Sequence, residues 1–158
     1  MIEPTREDLL ACLHVDRWAQ TVAGRAYGSM LDLERAAVSA ATPLADDEIE
    51  EALAAHPRIG ESRPGDDAES RFSRSEQSAS ESDDDALAAR LAELNAAYED
   101  RFGRVFLIRA AGRSREEIVA ELERRLGNDP VVELSEVADQ LRGIALLRLR
   151  ATYGEAAA

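Results

Sequence analysis

Along most of the chain apolar positions recur at steps of three and four with polar or acidic residues between them, the period of a helix packed on one face. The clearest run covers residues 83 to 102, where Leu87, Leu91, Leu94, Tyr98 and Phe102 align, Ser82 caps the start and Gly103 stops the end. Asp83, Asp84 and Asp85 fall in its first turn, where acids complement the helix dipole, and are read that way rather than as a cation site. Near the beginning, Thr5 and Asp8 form a capping-box pattern ahead of Leu9, Leu10 and Leu13. Further helices are predicted over Arg17 to Gly24 and from about Ser29 to Ala41. From Asp46 a fourth places Ile49, Ala52, Leu53 and His56 on one face and ends on that histidine, because Pro57 pushes the residue before it out of helical geometry. Ser114 with Glu117 opens another helix, with Ile118, Leu122 and Leu126 inward and Gly127 at its end, and Asp129 with Pro130 starts a final long one.

Two stretches depart from this period. "VFLIRA", residues 105 to 110, is short and apolar; one such run cannot make a sheet, so it is expected as an extended segment against a helical core, its backbone groups needing partners elsewhere. Residues 57 to 80, rich in Gly, Pro, Ser and charge, form a loop of a length that in compact domains is usually functional or disordered. The expected architecture is all-α: one domain over residues 1–158, a helical bundle with a long active-site loop and one short extended segment.

Composition agrees with helix over sheet, since Ala and Leu dominate the apolar residues and aromatics make up only 4%. A chain of 158 residues can bury roughly 70% of its unfolded surface and so build a real core. The net charge of −13 repels phosphate backbones and anionic lipid heads, so neither nucleic acid nor membrane is expected as a partner. A single cysteine, Cys12, excludes an internal disulfide framework and is expected as a small buried hydrophobe. With no secretory pattern in "MIEPTREDLL", no apolar run long enough to span a bilayer and no peroxisomal signal in "GEAAA", a cytoplasmic location is the default.

Chemistry is sought where the pattern breaks. In the last helix Leu134, Val137, Leu141 and Ile144 form a seam, and Arg148 takes the next position, where a leucine would sit. It either snorkels near the helix end or aims its fork at a carboxylate. His56 leaves its helix at the edge of the core, as a structural residue or as a proton donor whose charged form a helix C-terminus favours. His14, with no turn signal around it, is read as structural. Two histidines 42 positions apart give weak support for a metal, and no glycine-rich phosphate loop or nucleophile elbow appears. Glu76 in "SRSEQ" sits among Ser73, Ser75 and Gln77, which suits polar-ligand recognition or an ordinary solvated loop.

Taken in order, "DRWAQTVAGRAY", "AHPRIGE" (55 to 61), "SRSEQ" (73 to 77), "LNAAYEDRFGRVFLIRAAGRS" (94 to 114) and "EVADQLRGIALLRL" (136 to 149) resemble the 2-oxo-4-hydroxy-4-carboxy-5-ureidoimidazoline (OHCU) decarboxylases of purine catabolism. The resemblance implies an all-helical homodimer, without cofactor or metal, that converts the small ureidoimidazoline formed from urate to (S)-allantoin. It implies His56 as catalytic proton donor and Glu76 as catalytic carboxylate. It further implies substrate contacts from Pro57, from Ser73, Arg74, Ser75 and Gln77, from Phe106, Leu107, Ile108, Arg109 and Ala110, and from Arg148. Other enzymes of the pathway are possible partners. The competing readings are a non-catalytic acidic helical adaptor and a metal-assisted cyclic-amide hydrolase of the same pathway.

Overall fold

A computed structural model of the chain describes residues 1–56 and 85–154. Those residues form seven helices and no sheet: α1 (Arg6–Cys12), α2 (Asp16–Ala23), α3 (Met30–Ala40), α4 (Asp46–Leu53), α5 (Asp85–Phe102), α6 (Arg115–Leu126) and α7 (Pro130–Tyr153). The all-α expectation is met. The one piece of β-like pairing among the described residues is an isolated antiparallel bridge in which Ile2 and Tyr27 exchange two backbone hydrogen bonds of 2.8 Å each. The residues group into two compact units, Met1–Ala55 with 138–158, and His56–Val137, so α7 runs through both.

The first unit contains α1 to α4 and the later turns of α7. Its helix starts follow the sequence signals: Thr5 Oγ1 accepts from the Asp8 amide at 3.1 Å, and Ser29 Oγ accepts from the Asp32 amide at the same distance. Leu9, Leu13, Val15, Trp18, Val22, Leu33 and Leu141 are all essentially sealed from solvent. The polar ends of its buried aromatics are satisfied locally, since Trp18 Nε1 donates to the Ala37 carbonyl at 2.9 Å and the Tyr27 hydroxyl to the Val22 carbonyl at 2.7 Å. Cys12 is buried, as expected. His14 is not: it lies exposed on the connector between α1 and α2, because its neighbours Leu13 and Val15 take the inward positions there. The seam of α7 also includes Arg148, which is only 2% exposed and donates from Nη1 to the Ala11 carbonyl at 3.0 Å, so its head is not carried out to water.

The second unit is built on α5 and α6, which pack together, with residues 105–110 and the first turns of α7. Leu91, Leu94, Tyr98, Phe106, Ile108, Ala110, Ile118, Val119 and Leu122 make its core, with Leu87, Phe102 and Leu126 at the edge. The Tyr98 ring meets Phe106 edge-on at 5.2 Å between centroids. Gly103 ends α5 with φ of +71°, a left-handed conformation that glycine adopts without a Cβ penalty. Ser114 Oγ accepts from the Glu117 amide to start α6, and Asp129 Oδ1 accepts from the Val131 amide at the start of α7. The predicted cap Ser82 and the acids Asp83 and Asp84 lie outside the described residues.

Candidate functional site

The stretch from Val105 to Ala110 lies in neither helix nor strand. Phe106, Leu107, Ile108 and Ala110 are buried while Arg109 is exposed. Because Phe106, Ile108 and Ala110 belong to the core, the segment has its backbone, more than its side chains, to offer a ligand. With no neighbouring strand among the described residues to complete a ladder, its carbonyls are met from helix α6 and the turn before it. Arg125 Nη1 donates to the Leu107 carbonyl at 2.7 Å, Arg113 Nε to the Arg109 carbonyl at 2.9 Å, and the Arg113 amide to the Ala110 carbonyl at 3.1 Å.

Arg125 is the centre of a buried polar network. Its side chain is 1% exposed and pairs with Glu133, 0% exposed, through Nε at 2.8 Å and Nη2 at 2.5 Å, both onto Oε1. The same Glu133 oxygen accepts from the Tyr98 hydroxyl at 2.6 Å, and Oε2 accepts from Asn128 Nδ2 at 2.9 Å. The guanidinium carbon lies 4.6 Å from the centre of the Phe106 ring. Burial, and then the hydrogen bond to Glu133, push the Tyr98 phenol well above its ordinary range, so it stays a donor. Asn128 Nδ2 also donates to Glu136 Oε2 at 2.5 Å and so joins the network to a second pair, in which Arg124 clamps Glu136 with bonds of 3.1 and 2.6 Å and holds that carboxyl below the usual carboxylate range.

His56 is half-buried and belongs to the second unit. It stands beyond the helix rather than on its last turn, because α4 closes at Leu53 and Ala54 and Ala55 form a turn. That corrects the expectation that the helix reaches the histidine; the proline bias acts earlier than the face pattern implied. Phe106 to Ala110 lie in the same unit as His56, whereas Arg148 lies in the other. Pro57, Ser73, Arg74, Ser75, Glu76 and Gln77 fall outside the described residues. Among the described residues, no group of three or more His, Cys, Asp or Glu side chains is placed to hold a metal ion, and no helix is long and apolar enough to cross a membrane.

Sequence reasoning missed Arg125 and Glu133. "ERRL" at the end of α6 reads as a solvated basic patch favoured by the dipole, and Glu133 reads as a first-turn acid. A signal is nevertheless present: Arg125 follows Ile118 and Leu122 at steps of four and three, the same break in an apolar seam that singles out Arg148.

Comparison with known proteins places this geometry in a family. The OHCU decarboxylase profile matches residues 3–150, running through both units. A uric acid degradation bifunctional protein TTL of Arabidopsis thaliana is 38% identical over 111 residues, covering 68% of this chain and 34% of its own length. A 2-oxo-4-hydroxy-4-carboxy-5-ureidoimidazoline decarboxylase of Amia calva is 43% identical over 63 residues, 40% of this chain and 36% of its own. The matches thus span about a third of those relatives. An OHCU decarboxylase crystallised in the presence of (S)-allantoin shares the fold with a TM-score of 0.80 and 25% identity, covering 94% of this chain and 98% of that one. An (S)-allantoin synthase superposes at 0.67 with 22% identity, over 92% of this chain and 48% of its own, a likeness of fold alone. With a profile matched over nearly its whole length and the arrangement of helices shared with a solved member, the chain belongs to the OHCU decarboxylase family.

Proposed function

We propose that this protein decarboxylates 2-oxo-4-hydroxy-4-carboxy-5-ureidoimidazoline to (S)-allantoin without a cofactor. The observation that carries the proposal is the family match over residues 3–150, which includes the His-Pro pair of "AHPRIGE". The chemistry needs little beyond positioning and one proton. The substrate's carboxylate sits on a carbon next to a C=N bond, so breaking the bond to carbon dioxide leaves an electron pair that the ring delocalises, and no separate electron sink is required. That shift leaves an enol; as its hydroxyl-bearing carbon becomes the ring carbonyl and gives up the hydroxyl proton, a proton delivered from one face to the neighbouring ureido-bearing carbon gives a single enantiomer.

His56 is assigned as the donor, in its imidazolium form. Its placement past the end of α4, half-buried and held out of helical geometry by the following proline, supports that role. The backbone of Phe106 to Ala110 is assigned to the ring and ureido groups, which its burial and its position outside any helix or strand support. The assignments of Glu76 to catalysis, and of Pro57, Ser73, Arg74, Ser75, Gln77 and Arg148 to substrate binding, rest position by position on the family resemblance. So do action as a homodimer and a cytoplasmic location.

The test generates the unstable substrate in place from urate with the preceding enzymes of urate breakdown and follows the optical activity of the allantoin formed. With this protein, (S)-allantoin is expected to accumulate faster than spontaneous decay supplies racemate. Identical optical traces with and without it would overturn the proposal.

A further inference from the structure

A carboxylate and a guanidinium sealed from water cost several kcal/mol each in lost hydration, and an apolar pair of similar size is often no less stable. Stability alone therefore does not account for Arg125 and Glu133, which are 1% and 0% exposed. What an apolar pair would not supply is a donor to the Leu107 carbonyl, which Arg125 Nη1 reaches at 2.7 Å. That carbonyl lies in the middle of a segment that no strand among the described residues pairs with to set its plane. The guanidinium itself has little freedom: Nε and Nη2 are fixed on Glu133 Oε1, its central carbon lies over the Phe106 ring, and Glu133 is fixed in turn by Tyr98 and Asn128. A rigid planar fork fixes the direction between its two acceptors, which the rotatable donors of a lysine ammonium do not.

We propose that Arg125, oriented by Glu133, is a positioning residue for substrate recognition. It fixes the Leu107 carbonyl and so sets the direction of the backbone groups of Phe106 to Ala110, on which the substrate's ring and ureido groups are read. This role rests on the function proposed above. Arg125 acts through the Leu107 carbonyl and not on the substrate itself.

The experiment compares three variants of the full chain in the optical assay, each with a melting curve. Arg125→Lys keeps the charge and loses the fork. Arg125→Met combined with Glu133→Leu removes both buried charges together with the donor to Leu107, and its melting curve reads the cost of the Tyr98 hydroxyl and Asn128 amide losing their acceptor. Arg90→Lys, at an exposed arginine of α5 paired with Glu93 and Glu123 instead, is the control. A positioning role raises KM by about 10- to 100-fold in Arg125→Lys and in the double variant, with kcat changed less and KM unchanged in Arg90→Lys. A merely structural role lowers the melting temperature and the active fraction but leaves KM where it was. An active wild type with unchanged KM in the double variant overturns the inference and leaves the proposed function standing. A wild type without activity removes both.

Discussion

At the scale of single residues, the proton donor makes the sharpest prediction. Replacing His56 by alanine is expected to lower the rate of (S)-allantoin formation by roughly 10²- to 10⁴-fold, the loss typical of a positioned general acid. Near-normal turnover in that variant would remove the assignment. Glycines offer a test of backbone rather than chemistry. Gly103 has φ of +71° and open space where an added methyl group would stand, so Gly103→Ala should cost about 1 to 2 kcal/mol from conformation alone. Gly127 caps α6 at φ of −85°, so Gly127→Ala should be close to neutral, and urea titration of the two variants reads the difference. Legibility at this scale follows one rule: a polar residue interrupting an apolar seam. Arg148 stands out by it and Arg125 does not, because the neighbouring Arg124 and the helix end give Arg125 an adequate solvated explanation. Glu133 is hidden for the same reason, since an acid at the start of a helix needs no further cause.

At the scale of elements, caps and periodicity carry nearly all of the information. The starts of α1, α3 and α6 lie where Thr5, Ser29 and Ser114 place them, and Gly103, Gly127 and the Asp129–Pro130 pair mark ends and a beginning as expected. The end of α4 is less legible, since the apolar face continues to His56 while the backbone stops at Leu53. Residues 105–110 are legible as an extended connector but not in their support, because Arg125, the donor to Leu107, comes from 18 positions further along the chain. The caps themselves are testable. Ser114→Ala removes the acceptor for the Glu117 amide and should cost about 1 kcal/mol, read as a shift of the urea midpoint without a change of slope.

At the scale of the whole molecule, acid pH is the informative variable. Hydrogen bonding to Arg17 holds the Glu48 carboxyl, and hydrogen bonding to Arg124 the Glu136 carboxyl, below the usual carboxylate range. A carboxyl depressed on folding contributes stability that is complete above its unfolded value and is lost as pH falls through its folded one. Stability should therefore decline as pH falls through and below the ordinary carboxylate range, and Glu136→Gln should be less stable at neutral pH yet lose less on acidification, as urea midpoints across that range will show. One further consequence follows from Trp18, the chain's only tryptophan, which is wholly buried in the unit formed by residues 1–55 and 138–158. Its fluorescence is a private witness to that unit alone, whereas circular dichroism in the far ultraviolet sums the helices of both. Superimposable melts by the two signals would mean that the halves come apart as a single cooperative body, and a gap between them would reveal which half lets go first.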